Sequence, residues 1–228
     1  AFLTSIDNKV QHLTRKKQLL EQYKKGCMEQ IFSQNIRFKD VNKQHTQWKF
    51  KRLKEIGQFF SGGTPLTSKK EYYGGGIIPF IKSGEINSNQ TEQCITELGL
   101  KNSSAKLVNV GDVLYALYGA TSGQVSIARI SGAINQAILC IRSNQNHLFI
   151  YYFLMFEKHK IIQTFLQGGQ GNLSAEIIKS LEIPIPSQEE QKKIANFLSA
   201  IDIKINLVET QLKKTQEFKK GLLQQMFI

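Results

Sequence analysis

The sequence predicts an α+β protein: one globular domain with a mixed or antiparallel sheet, flanked by two long helices that form an antiparallel coiled coil. Three observations carry that prediction. A stretch of about thirty residues at the start recurs at the end. Both copies space their apolar residues in alternating steps of three and four. Between them, glycine-rich turn signals separate short runs rich in β-branched and aromatic residues.

The repeat sets Phe2–Phe32 beside Phe197–Phe227 without a gap. Phe2, Leu3, Ile6, Asp7, Lys9, Lys24, Lys25, Gly26, Gln30 and Phe32 all recur, as Phe197, Leu198, Ile201, Asp202, Lys204, Lys219, Lys220, Gly221, Gln225 and Phe227. One recurrence across a whole domain length excludes a short-period solenoid and marks a connector used once per domain. In the first copy Ile6, Val10, Leu13, Leu20, Cys27 and Ile31 form the seam, interrupted by Lys17 and Lys24. Ile201, Ile205, Val208, Leu212, Leu222 and Met226 form it in the second. The pairing residues are taken as Ile6, Val10, Leu13 and Leu20 against Ile201, Ile205, Val208 and Leu212. Ser187 and Glu190 form a capping box after the prolines of "IPIPSQEEQ", which starts the second helix near Ser187. These signals divide the chain into helix 1–40, globular domain 46–186 and helix 187–228. A rod of 30 to 40 residues is about 45–60 Å long. The first copy has no such lead-in, so a further domain is expected before it. Gly26 and Gly221 mark either a close helix crossing or tolerated glycines.

In the middle, "IIPFI", "DVLYALY", "VSIARI" and "AILCIR" read as strands, and His147–Phe165 reads as a helix with a buried aromatic face. The turns "SGGTP", "YYGGG", "KSGEI", "YGATSGQ" and "QGGQGN" lie between the predicted elements. None of these matches a phosphate-binding loop of the G-x-x-x-x-G-K-[ST] kind, and no N-P-P-[FY] methyltransferase tetrapeptide occurs. Aspartate is limited to Asp7, Asp40, Asp112 and Asp202, which disfavours an acidic two-metal centre. Cys27, Cys94 and Cys140 are far apart, against a disulfide framework or zinc site. The longest apolar run, Leu148–Phe156, is too short to cross a bilayer. No catalytic residue, cofactor, metal or membrane contact is expected, and the chain reads as cytoplasmic.

The net charge of +12 favours a polyanionic partner. It is concentrated in the end segments: residues 1–40 carry 8 basic against 4 acidic groups, and 191–228 carry 7 against 3. Double-stranded DNA is the partner that polar, glycine-rich loops on such a domain would fit. Arg52, Lys54, Lys69, Lys70 and Lys82 are the candidates for phosphate contacts. Thr64, Ser83, Thr121, Gln124, Gln167, Gln170 and Asn172 are the candidates for base contacts, together with Gln136, since an amide can bond adenine bidentately in the major groove. Each feature also has a plain reading, as lysines solvating helix faces, glycines making turns and glutamines decorating a surface. On that reading the chain is a coiled-coil assembly protein with nonspecific DNA affinity.

Several stretches resemble the specificity (S) subunits of Type I restriction-modification systems: "WKFKRLKEIGQFFSGGTP", "YYGGGIIPFIKSGEI", "GAINQAILCIR", "QGGQGNLSAEIIKSLEIPIPSQEEQKKIANFLSAID" and the duplicated helix. The resemblance implies a target recognition domain that reads one half of a bipartite DNA sequence, in a bacterial or archaeal cell. It also implies conserved helices that act as a ruler and dock methyltransferase (M) subunits and, through them, restriction (R) subunits. A full S subunit has two recognition domains, whereas this chain has one between two helix copies and matches the C-terminal half. Two such chains pairing through their helices as a homodimer would rebuild a whole particle and read an inverted repeat.

Overall fold

The computed structural model describes residues 2–39, 47–166 and 172–226. Its contacts divide the chain into two compact units, Ala1–Phe38 with Lys193–Ile228, and Lys39–Lys192.

The first unit is a helix pair. Helix α1 spans Phe2–Phe32 and helix α5 spans Gln188–Met226. Ile6, Leu13, Ile201, Ile205 and Val208 are buried, and Val10, Leu20 and Leu212 half-buried, so the predicted seam is covered within one chain. Ion pairs set the direction and register. Asp7 meets Lys219 at 2.5 Å, Lys17 meets Glu209 at 2.6 Å and Lys24 meets Asp202 at 2.6 Å. Each step down one helix is matched by a step up the other, so the pairing is antiparallel. Lys17 and Lys24, which interrupt the apolar pattern, are the seam's cross-links. Partly exposed pairs of this kind contribute about 0.2–1 kcal/mol each, so they select register while the buried side chains supply most of the stability.

Helix α1 ends at Phe32, short of the residue 40 expected from the sequence. Gln34 adopts φ 63, which turns the chain back, and the Ile36 N–H donates to the Gln30 carbonyl at 3.0 Å. Phe38 then packs on Phe197 with ring centroids 5.7 Å apart and the planes tilted at 53°. A β-carbon on Gly26 or Gly221 would meet nothing within 4 Å, so neither glycine is required by a close crossing.

The second unit is a sandwich of two four-stranded sheets with a two-stranded ribbon. The first sheet has the order β2 (Gly57–Ser61), β9 (Ile138–Ser143), β6 (Val113–Ala116), β7 (Val125–Ile127), all antiparallel. The second has the order β4 (Cys94–Ile95), β3 (Ile78–Ile81), β8 (Gly132–Ile134), β5 (Lys106–Val108). Its β3 and β8 are parallel and the other pairs antiparallel, which makes it the mixed sheet. The ribbon pairs β1 (Lys49–Arg52) with β10 (Glu182–Ile185).

Strand alternation explains the core. Leu114, Ala116, Ile138 and Cys140 of the first sheet meet Ile81, Val108 and Ile134 of the second. On the outer face of the second sheet, Phe80, Ala133 and Ile95 pack with Leu100 of helix α2 (Glu97–Lys101). On the outer face of the first, helix α3 (His147–Leu166) packs against β6 and β7. A short helix α4 (Ala175–Ser180) precedes β10.

The start of α5 is tied into this unit. The Ser187 hydroxyl accepts the Glu190 N–H at 3.3 Å, as the capping signal requires. The Glu190 carboxylate accepts the Trp48 indole N–H at 3.0 Å, and Trp48 packs edge-on against Phe149. Gln191, fully buried, accepts the Asn146 N–H and donates to Pro186 and Gln145. Among the described residues no helix is long and apolar enough to cross a membrane.

Candidate nucleic-acid interface

The topology gathers one set of loops. Ser61 lies opposite Leu139 and Ala116 opposite Ile138, so the ends of β2 and β6 meet the beginning of β9. Because β3 and β8 are parallel, their exits lie side by side. Hydrogen bonds knit the exits together. The Gly62 N–H donates to the Asn135 carbonyl at 3.2 Å, Leu117 to Ala137 at 2.8 Å and Leu173 to Leu117 at 2.9 Å. The turns Ser83–Glu85 and Gly119–Thr121 pack beside one another.

Glycine makes two of these approaches possible. A β-carbon on Gly62 would lie 1.7 Å from the Ile134 carbonyl oxygen, so no larger residue fits between β2 and β8. Gly123, at φ 81, closes the 119–123 turn against Ile162 of α3.

Of the residues chosen from sequence, Thr64, Lys82, Ser83, Thr121, Gln124 and Asn172 lie in this cluster. Thr64 and Asn172 are exposed and the other four half-exposed. The Thr64 hydroxyl bonds the Gln136 side-chain oxygen at 2.9 Å, which orients that exposed amide. The Glu85 carboxylate accepts the N–H groups of Lys82 and Glu92, at 3.0 and 2.8 Å, and fixes the turn that carries Lys82.

Lys69 and Lys70 are exposed on the segment that follows Thr64, with Lys69 only 3.7 Å from Glu71. That segment is held by the Thr96 hydroxyl, which donates to the Glu71 carbonyl. Arg52 and Lys54 stand apart, before β2, whereas the cluster lies at its far end. Arg52 is in register with Glu182, and Lys54 is close enough to Glu176 to lower its carboxyl, after the larger effect of the Lys179 hydrogen bond. Gln167 and Gln170 lie outside the described residues.

Sequence reading missed Lys158. Its Cε lies 3.8 Å from where a β-carbon on Gly123 would stand, which brings an α3 ammonium to the cluster. The signal was a lysine 35 residues from that glycine in a stretch dominated by aromatic burial. At the other end of β9, away from the loops, Arg142 clamps Asp112 with two bonds at 3.0 and 2.5 Å and lies over the Phe60 ring at 5.2 Å. Burial acts to raise the Asp112 carboxyl, but the Arg142 guanidinium and the Asn109 N–H outweigh it and hold the group below the ordinary carboxylate range. No group of three or more metal-ligating side chains occurs among the described residues. The cluster therefore offers amides, hydroxyls, backbone and two lysines, a set suited to hydrogen bonding along a duplex groove.

A family profile described as the Type I restriction modification DNA specificity domain matches residues 45–217. The MjaIX specificity subunit of Methanocaldococcus jannaschii is 32% identical, over 81% of this chain and 44% of that subunit. The EcoR124I/EcoR124II specificity subunit of Escherichia coli is 24% identical, over 75% of this chain and 45% of that one. Among solved structures, the HsdS subunit from Thermoanaerobacter tengcongensis superposes with a TM-score of 0.67 at 16% identity, over 98% of this chain and 55% of that chain. The S subunit from M. genitalium gives 0.69 at 16% identity, over 97% and 57%. The chain thus spans about half the length of the curated relatives it matches.

Proposed function

The chain belongs to the Type I restriction-modification DNA specificity family, and from that premise we propose that it reads one half-site of double-stranded DNA and directs catalytic partners to it. The observation that carries the reading is the convergence of Thr64, Lys82, Ser83, Thr121, Gln124, Gln136, Asn172 and Lys158 at one end of the sandwich. Lys82 and Lys158 supply phosphate contacts, with Lys69 and Lys70 on the adjoining segment. The amides of Gln124, Gln136 and Asn172 read base edges. Arg52 and Lys54 contribute to the general positive field.

The helix pair serves as the platform for M subunits and, through them, R subunits. Leu19 and Tyr23 on α1 and Ile203 and Leu207 on α5 are about half exposed at matching heights along the pair, an apolar surface of the kind a partner helix covers. Two copies of the chain assemble through the same helices. The seam is already covered within one chain, so the dimer forms either by exchange, α1 of one copy on α5 of the other, or through this outer surface.

The test is a binding selection: random duplexes are captured near physiological salt by the full chain with its M subunit, and the bound pool is sequenced. Salt matters because phosphate contacts dominate at low ionic strength. An enriched motif supports the reading, and an inverted pair at fixed spacing supports the dimer. An unenriched pool with folded, M-bound protein rejects it in favour of a scaffold with nonspecific affinity.

A further inference from the structure

The loop cluster carries a large apolar side chain that its hydrogen-bonding set leaves unused. Leu66 is 63% exposed and stands two residues past Thr64, at most about 7 Å along the chain. The segment that presents it is anchored at each step. The Gly62 N–H donates to the Asn135 carbonyl, and a β-carbon on Gly63 would overlap the Ser104 hydroxyl, so the backbone lies close against its neighbours. The Thr64 hydroxyl bonds Gln136, the Pro65 carbonyl accepts the Tyr73 hydroxyl at 2.5 Å, and the Leu66 carbonyl accepts the Lys69 N–H at 3.1 Å. Bonds on both sides of Leu66 thus fix its backbone, and its exposure is built into the turn. Lys69 and Lys70 are exposed on the same segment. Ile77 and Phe50 are also exposed, but Ile77 precedes β3, at the opposite end of that strand from Lys82, and Phe50 lies in the ribbon.

We propose that Leu66 reads a thymine, by packing on its C5-methyl group in the major groove. The inference rests on the half-site reading and adds a base identity to it. Thymine presents the one methyl group in that groove, and an apolar side chain is what recognises it. Leu66 has no hydrogen-bonding group on its side chain, so it selects by apolar contact alone, while Lys69 and Lys70 meet the phosphates on either side. The Thr64–Gln136 bond ties the amide and the leucine to one anchored element. A separation of about 7 Å matches about two base-pair steps of 3.4 Å, so the thymine falls within about two base pairs of the position that Gln136 reads.

The probe is the duplex enriched in the binding selection, with each thymine replaced in turn by deoxyuridine, which removes the methyl group and nothing else. Affinity is measured for the full chain with its M subunit. One replacement is expected to weaken wild-type binding about fourfold, the worth of one buried methyl group. Leu66→Ala should bind the thymine duplex as weakly as wild type binds the uracil one, and should lose nothing further on that replacement. Leu66 is largely exposed, so its truncation leaves the fold intact, which circular dichroism checks. A motif with no uracil-sensitive position overturns this inference while the half-site reading stands. So does a uracil sensitivity that Leu66→Ala retains, or a Leu66→Ala loss that is equal on thymine and uracil duplexes. A bound pool with no motif at all rejects both readings together.

Discussion

In the helix pair, each ion pair draws on a rule that recurs every few residues; in the loop cluster, each contact is unique. Asp7–Lys219 and Lys24–Asp202 are two instances of one arrangement, whereas Gly62 beneath Ile134 and Thr64 against Gln136 occur once each. The difference predicts where damage spreads. A periodic seam distributes its stability over many equivalent contacts, so one lost pair is minor. A loop cluster built from single contacts fails at a single position.

The largest effect belongs to Gly62→Val. Its β-carbon would collide with backbone, not with a movable side chain, so a loss of about 3 kcal/mol or more is expected, read as a fall in the thermal midpoint. An unchanged midpoint would mean that the sheets separate more easily than their packing implies.

Arg142→Ala comes next, because it strips the partner from a 9%-exposed carboxylate. A cost of about 1–3 kcal/mol at pH 7 is expected in urea unfolding. The folded Asp112 carboxyl is held low, so its stabilisation is present above the unfolded carboxylate range and is lost as pH falls through the folded value. The gap between wild type and variant therefore narrows from pH 7 to pH 3. A gap that stays constant assigns the loss to packing on Phe60 instead.

For the cluster, Gln136→Ala should relax base preference at one position by about 1–3 kcal/mol. Lys82→Ala and Lys158→Ala should each weaken binding on every sequence and reduce the salt slope by about one. If Arg52→Ala changes sequence preference while Gln136→Ala does not, the interface lies at the other end of β2. The smallest effect is at the helices. Gly26→Ala adds a methyl group where nothing stands within 4 Å and should stabilise the chain by about 0.5–1 kcal/mol. The same change weakening M-subunit assembly would explain the glycine as clearance for a partner.

The two regions were unequally legible for the same physical reason. Helical periodicity is local, so the seam residues from Ile6 to Leu212 and the start at Ser187 could be read directly, and the four runs read as strands fall on β3, β6, β7 and all of β9 but Ser143. The end of α1 was missed because its reversal rests on Gln34, a residue with no standing preference for positive φ, and on a Phe38–Phe197 contact remote in sequence. Strands β1, β5, β8 and β10 open on lysine, glycine or glutamate, where β3, β6, β7 and β9 open on isoleucine or valine, so they carry no β-branched start to mark them. Glycine-rich turns marked where the loops were but not which of them met. Lys82 and Thr121 share a cluster only because β3 parallels β8 and β6 runs against β9, and such pairings are set by the tertiary fold.

The exchanged ion pairs bear on ancestry. A helix carrying aspartate near its start and lysine some seventeen residues later matches an antiparallel copy of itself, as a palindrome matches its own reverse. When such a helix was duplicated within one gene, no new contact had to arise for the copies to recognise each other. Most other positions differ between the two copies, while the four charges at 7, 24, 202 and 219 match across them.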